Sequence, residues 1–242
     1  MIETAALAAI AFLGALVFGV TGFGAALVTI PLATHLVPLG FALALFVLAD
    51  LAAALSVGLE NPKNAVRAEW TRLVPMIVAG TALGVTLLVN LPRAAGMLLL
   101  GLFVITFAFV SLLRRAQSRV VASGWAWLAG LAGGITSTVF GAGGPPYAIY
   151  LSQRGLTKEQ FRATLGFATL TSISLRLIAF ALTGLLLDLQ VWLKALAVVP
   201  ACLLGIWVAR KVFLRISRDA LMRAVALLLL ASGASLISRA VL

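Results

Sequence analysis

The chain has 242 residues, of which 63% are hydrophobic and only 10% charged. Its mean hydropathy is +1.16. Soluble domains are roughly half apolar and a quarter charged, so this composition excludes an ordinary soluble fold and calls for a lipid bilayer as solvent. The formal net charge is +11, from 18 Lys and Arg against 7 Asp and Glu. In a soluble protein that excess would suggest nucleic acid. Here the basic residues sit in short gaps between apolar runs, and no basic helix carries interleaved surface aromatics. The charge is read as a topology signal, with no nucleic-acid partner.

In chain order, the first residues, Met-Ile-Glu-Thr, lack a basic region, so no cleaved signal peptide is expected. Residues 5–36 form a long apolar region interrupted by Gly19, Gly22, Gly24 and Pro31, which predicts two short helices around a break. A spanning helix needs about 20 mostly apolar residues. Residues 41–59, 73–91 and 94–113 meet this, and a basic linker follows. Residues 125–151 are interrupted by Gly141, Gly143, Gly144, Pro145 and Pro146, and again predict two short helices. Residues 163–187, 193–212 and 220–237 complete the series. The expected fold is an all-α, polytopic transmembrane bundle of ten elements. Gly and Pro at the two breaks free backbone groups that lipid cannot satisfy. The breaks therefore belong inside the protein or beside a watery cavity.

Basic residues set the orientation. Lys63, Arg67 and Arg72 form one cluster; Arg114, Arg115 and Arg119 a second; Arg154, Lys158 and Arg162 a third; Arg210, Lys211, Arg215 and Arg218 a fourth. The loops at 37–40, 90–93 and 184–190 are poor in charge. With ten elements all four clusters fall on one side, expected to be cytoplasmic, with both termini outside a cell (inner or plasma) membrane. Arg93 and Arg239 fall on the other side. Cys202, the single cysteine, lies in an apolar run and matches no metal-ligand spacing.

The halves resemble each other. Phe23-Gly24-Ala25 matches Phe140-Gly141-Ala142, and Ile30-Pro31-Leu32 matches Ile149-Tyr150-Leu151 after a two-residue shift. Pro75-x4-Gly80 answers Pro200-x4-Gly205, and Arg93-x-Ala95-x-Met97 answers Arg218-x-Ala220-x-Met222. A first repeat at 1–113, a cytoplasmic linker at 114–122 and a second repeat at 123–242 follow, together forming one membrane domain. Each copy contributes five elements, an odd number, so the second enters the membrane from the opposite side. That is an inverted-topology repeat, each half opening with a Gly/Pro-broken helical hairpin. In such folds, paired interruptions point to a substrate site.

The segments Gly19-Val-Thr-Gly-Phe-Gly-Ala and Phe140-Gly-Ala-Gly-Gly-Pro-Pro, each in the opening hairpin of a half, resemble the TauE/SafE family. These are the sulfite exporter-like, or toluenesulfonate-uptake-type, permeases. The resemblance extends over nearly the whole chain. It implies a transporter of small sulfur-containing anions such as sulfite or organosulfonates.

An anion inside a membrane protein needs hydrogen-bond donors. Broken-helix N-termini offer free N–H groups and partial positive charge. The expected substrate-binding set is Thr21, Gly22, Gly24, Ser137, Thr138, Gly141, Gly143, Gly144, Pro145 and Arg176. Gly143 and Gly144 let backbone approach a ligand; Pro145 and Pro146 can begin the next helix; the hydroxyls add donors. The bland alternative is that the glycines only let helices pack closely. Arg162, Thr169, Arg176 and Thr183 recur every seven residues, with Ser172 nearby, giving one polar stripe on an apolar helix. Arg176 reads either as an anion-attracting guanidinium or as a structural or snorkelling charge. Asp50, mid-run, can pair with Arg176, carry a coupling proton, or stay neutral through burial. His35, the only histidine, reads as interfacial; Tyr147 and Tyr150 either line the second hairpin or pack; the tryptophans read as structural. No metal or cofactor is expected. No Gly-x4-Gly-Lys-Ser/Thr loop or Gly-x-Ser-x-Gly elbow occurs, so no enzyme is expected. The expected function is a secondary anion transporter, coupled to a proton or sodium if at all and compatible with homo-oligomers. The competing reading is a channel or a membrane subunit without active transport.

Overall fold

The computed structural model describes residues 2–58, 61–113, 120–212 and 218–241. Arg114, Arg115, Arg119 and Arg215, and so most of the linker, lie outside the described residues, as does the side chain of Thr21. The described residues form ten α-helices and no strand. They are α1 (Ile2–Thr21), α2 (Ala25–Ala33), α3 (Leu39–Gly58), α4 (Arg67–Asn90), α5 (Arg93–Leu113), α6 (Trp125–Phe140), α7 (Gly144–Leu151), α8 (Lys158–Leu182), α9 (Leu189–Val212) and α10 (Arg218–Val241). Five helices contain segments long and apolar enough to cross a membrane: Ile2–Val20, Leu39–Ser56, Arg67–Asn90, Lys158–Leu182 and Leu189–Lys211. Shorter apolar segments lie in α5, α6 and α10.

The boundaries differ from expectation where local packing overrides the glycine signal. Residues 5–36 do not form two short helices. Gly19 stays inside α1, which runs 20 residues, while α2 has nine. The space a Gly19 side chain would need is taken by the Ala209 Cβ of α9, 2.6 Å from where its own Cβ would stand. Pro31 does not break the chain either; it sits in the last turn of α2. The actual break is residues 22–24, where Gly22 and Gly24 have φ of 78° and 90°. These are left-handed values that glycine reaches without a Cβ clash. In the second hairpin the helix-ending residue is Gly141, φ 75°. Gly22-x-Gly24 follows α1 as Gly141-x-Gly143 follows α6, two residues away from the Phe-Gly-Ala register. At about 1.5 Å per residue, α2 and α7 reach roughly 12–14 Å, under half the hydrocarbon thickness. The run at 163–187 also stops short. Thr183 caps α8, and Gly184 turns the chain with φ 80°.

Helices pack through small residues. Helix α4 lies parallel to α6, with Gly80 and Gly84 set against Gly134, Ile135 and Thr138. Helix α1 lies parallel to α9, where Gly205 meets the Phe12 carbonyl. Helix α3 runs antiparallel to α8 through Gly58 and Gly166, and α5 antiparallel to α10 through Gly101 and Gly233. Lipid gives no hydrophobic reason for helices to associate, so close backbone approach and its dispersion contacts must supply it. Large apolar side chains such as Leu87, Leu196 and Leu204 are correspondingly exposed on the outer faces. Trp125, Trp127 and Trp192 are exposed too, close to helix ends. Trp70 is structural: its Nε1 donates to Thr171 Oγ1 at 3.0 Å, packing α4 on α8.

The basic loops gather at one end of the bundle. The Val66 amide donates to Thr164 Oγ1 (2.9 Å), and Arg210 Nη2 donates to the Ser56 carbonyl (2.7 Å). Buried Glu69 is the anchor there. It accepts from Arg72 (2.9 Å), Arg154 (2.8 Å) and the Tyr150 hydroxyl. Arg154 also donates to the Val121 carbonyl at 2.5 Å, tying the described end of the linker to the loop after α7.

A Cβ on Gly134 would stand 2.6 Å from the Ile77 carbonyl oxygen and 2.9 Å from Gly80 Cα. Backbone cannot yield as a side chain can. Gly134→Val is therefore expected to destabilise the α4–α6 contact by about 1–3 kcal/mol, the usual cost of overpacking. A lower melting temperature in detergent is the readout. Gly124→Ala, at a site with nothing within 4 Å, is the unchanged control.

Candidate functional site

The polar stripe of α8 faces inward. Arg176, on its C-terminal third, is the largest fully buried side chain among the described residues. Its Nη2 donates to Asp50 Oδ2 of α3 at 2.6 Å, and its Nη1 donates to the Ser137 carbonyl of α6 at 2.9 Å. The two side chains are 1% and 7% exposed. Removing two charges from water costs several kcal/mol each, so neither is tolerable here without the other. Ser137 lies in the last turn of α6, where unpaired carbonyls carry partial negative charge. The guanidinium thus also neutralises a helix C-terminus. Arg176 Nε has no hydrogen-bond partner. Gly141 allows this approach: a Cβ there would come within 3.1 Å of Arg176 Nη1.

Beside the pair lies a small internal cavity of about 20 Å³. That is room for one water-sized occupant and far below the volume of a sulfonate. Both helix breaks border it, through Gly24, Ala25 and Ala26 on one side and Gly141, Gly143 and Gly144 on the other. Asp50, Ser137, Tyr147, Thr169 and Ser172 supply its polar wall. The Tyr147 hydroxyl donates to Ser172 Oγ at 3.1 Å. Short-helix N-termini therefore do converge on one space. They are unequal as donors, because Pro145 and Pro146 remove two N–H groups from the first turn of α7. Helix α2 begins with Ala25 and Ala26 and keeps its own.

A second, wider space of about 280 Å³ opens at the basic end. Asn61, Lys158, Glu159 and Arg162 form its mouth, and Gly22, Phe18 and Thr169 its inner end. We call it the vestibule.

The expected residues are thus distributed over three places. Gly24, Ser137, Gly141, Gly143, Gly144 and Asp50 border the inner cavity, and Gly22 borders the vestibule. Arg176 stands behind Asp50, bordering neither space. Thr138 borders neither; its hydroxyl donates to the Gly134 carbonyl of its own helix at 2.9 Å. Pro145 serves the first turn of α7. Gly143 and Gly144 also face protein at close range: Cβ atoms there would meet Gly133 O at 2.8 Å and Phe23 Cβ at 2.5 Å. Their small size closes the hairpin in this state. Phe18 was not singled out by the sequence, since one aromatic residue among apolar neighbours carries no local signal. Tyr147 and Ser172 become interpretable only when α7 is laid against α8.

With this geometry in hand, comparison with known proteins is informative. The profile of the family described as Sulfite exporter TauE/SafE matches residues 7–236. The chain belongs to the TauE/SafE family. It is a multi-pass membrane protein of a transporter family, as the apolar helices require. It is similar to a protein of Comamonas testosteroni named "Probable inner membrane transporter protein TsaS", with 25% identity over 165 residues, covering 68% of this chain and 69% of that one. No solved structure matches the chain.

Single substitutions at the buried pair should hurt more than the double. Asp50→Asn leaves Arg176 uncompensated, and Arg176→Gln leaves Asp50 so; each is expected to cost about 3–5 kcal/mol. Asp50→Asn with Arg176→Gln should recover part of that loss. Thermal unfolding in detergent reads the order of the three, and equal melting of both singles and the parent would contradict an energetically coupled pair.

Proposed function

We propose that this protein is a secondary transporter of a small sulfur-containing anion, sulfite or an organosulfonate, and that Asp50 and Arg176 couple the anion to a cation, most simply a proton. The observation that carries this reading is the buried Asp50–Arg176 pair beside a cavity bordered by both helix breaks. The family and the named relative support the anion class.

Charge balance explains why the pair suits coupled transport. With Asp50 ionised, the pair is neutral, and Asp50 is the member that borders the cavity. An arriving anion meets a carboxylate and is opposed. Protonating Asp50 removes that charge and leaves Arg176 to balance the anion. Anion and proton then occupy the site with no net change, which a low-dielectric interior favours. Among the candidate residues, Gly24, Ser137, Gly141, Gly143 and Gly144 are assigned to the anion's surroundings, Gly22 and Thr21 to the approach, and Asp50 to coupling. Thr138 and Pro145 are kept only as supports of the two hairpin arms.

The architecture assigned to this function is an inverted duplication. Exchanging the halves turns the parallel α1–α9 pair into the parallel α6–α4 pair, and it carries the antiparallel α3–α8 and α5–α10 pairs onto themselves. The helix-ending glycines Gly22 and Gly141 correspond in the same way. The basic end is assigned to the cytoplasm and both termini to the outside, following the positive-inside rule. The vestibule then opens inward.

Ligand-induced stabilisation tests the anion class. A ligand at a hundred times its Kd stabilises a protein by about 2.7 kcal/mol. Sulfite, sulfate, thiosulfate, taurine and sulfoacetate are compared with chloride on the purified protein. At least one sulfur anion is expected to raise the melting temperature at a concentration where chloride does nothing. No shift with any of them contradicts the sulfur-anion assignment and leaves the membrane fold intact.

A further inference from the structure

The vestibule and the inner cavity adjoin and share part of their walls. Among the described residues, only Phe18 of α1 and Thr169 of α8 border both spaces. Phe18 is 4% exposed and Thr169 is 7% exposed. The Thr169 hydroxyl is buried without any hydrogen-bond partner. Three other hydroxyls of the same helix are paired: Thr164 accepts from the Val66 amide, Thr171 donates to the Phe167 carbonyl, and Ser172 accepts from Tyr147. The hydroxyls of Thr29, Thr81 and Ser232 are also buried without a partner, but they border neither space. A buried hydroxyl left unpaired at a boundary between two cavities points to a ligand that visits it.

Phe18 lies in the last turn before the first helix break. The Phe18 carbonyl accepts the Gly22 amide at 2.7 Å, closing the last turn of α1. Directly after it come the left-handed Gly22 and Gly24. Nothing lies within 4 Å of where a Gly22 Cβ would be. Gly22 itself has room to rotate, while Gly19 in the turn before it stays packed against Ala209 of α9. At the second break Gly143 is pressed against Gly133 and Ser137, and Gly144 against Phe23, which belongs to the first break.

We propose that Phe18 and Thr169 form the gate between the vestibule and the occluded site. The Phe18 ring closes the passage. The Thr169 hydroxyl gives the entering anion its first hydrogen bond beyond the basic mouth. The Gly22–Gly24 break is the hinge that withdraws the ring. The role of the anion rests on the transporter reading, but the barrier does not, and its test needs no transported substrate.

The test measures access in nanodiscs with Cys202→Ala as background. A reporter cysteine is placed in the inner cavity (Ala142→Cys) and another in the vestibule (Asn61→Cys). Both are reacted with 2-sulfonatoethyl methanethiosulfonate, a thiol reagent that is itself a sulfonate anion. The vestibule cysteine is expected to react quickly with or without Phe18. The inner cysteine should react slowly behind Phe18 and at least about tenfold faster in Phe18→Ala, a change of about 1.4 kcal/mol in the access barrier. Phe18→Leu replaces Phe18→Ala if that variant does not fold, with a smaller acceleration expected. Rapid reaction of the inner cysteine behind intact Phe18, or a rate indifferent to both substitutions, overturns the gate. For the hydroxyl, Thr169→Val should lower the kcat/KM of anion flux roughly tenfold, with Thr169→Ser close to the parent. Parent-like flux in Thr169→Val overturns the hydroxyl's part while leaving the steric barrier to the thiol measurement.

Discussion

A buried charge in a membrane protein must be answered by another buried group, and the rest of this structure is arranged around one such answer. The Arg176 guanidinium binds Asp50 on α3 and the Ser137 carbonyl on α6 at once. Three helices are therefore fixed relative to each other by a single side chain. Gly141 is required for the same contact, because a side chain there would crowd Arg176 Nη1 and the Ala26 and Ile30 side chains. Asp50 borders the open space and Arg176 stands behind it. In the proposed transport, the charge state of the carboxylate decides what the cavity presents to an incoming anion.

The second constraint is the backbone at the breaks. Two helices end inside the protein, and their freed carbonyls and amides cannot be left to lipid. At α6 the Ala142 amide returns to the Thr136 carbonyl, and Arg176 answers Ser137. At α1 the Gly22 amide returns to Phe18. The two hairpins are nonetheless held differently. The second is locked by Tyr147 on Ser172 and, at its far end, by Tyr150 and Arg154 on Glu69. The first ends at His35, whose ring bonds the Pro31 carbonyl and Ser235 of α10. Open space borders Gly22, a packed region borders Gly143, and Phe23 of the first break rests on Gly144 of the second.

Much of the fold could be read from the chain, for identifiable reasons. Apolar runs are set by bilayer thickness, so all ten elements were foreseeable. So were the placement of both breaks and the inward face of α8 around Arg176. Boundaries failed where a glycine serves packing instead of turning. Gly19 looks like an interruption and is a contact point for α9; Pro31 looks like a stop and lies within α2. The Phe-Gly-Ala similarity lies two residues away from the register that aligns the helix-ending Gly22 and Gly141. At the site, Asp50 and Arg176 stood out because charge inside an apolar run is costly. Phe18 did not, since an aromatic in an apolar run is ordinary, and its position between two cavities depends on helix packing. Thr138, a hydroxyl near the break, donates to the Gly134 carbonyl of its own helix, a local bond that residue type alone does not reveal.

The central claim is that the Asp50–Arg176 pair links movement of a sulfur anion to movement of a cation. Flux of labelled sulfite into proteoliposomes holding the purified protein, driven by an imposed proton gradient, tests it most directly. The account predicts accumulation above equilibrium that collapses when the gradient is dissipated and that is lost in both Asp50→Asn and Arg176→Gln. Gradient-independent equilibration alone would make the protein a channel. Parent-like, pH-dependent accumulation in both variants would contradict the pair's role.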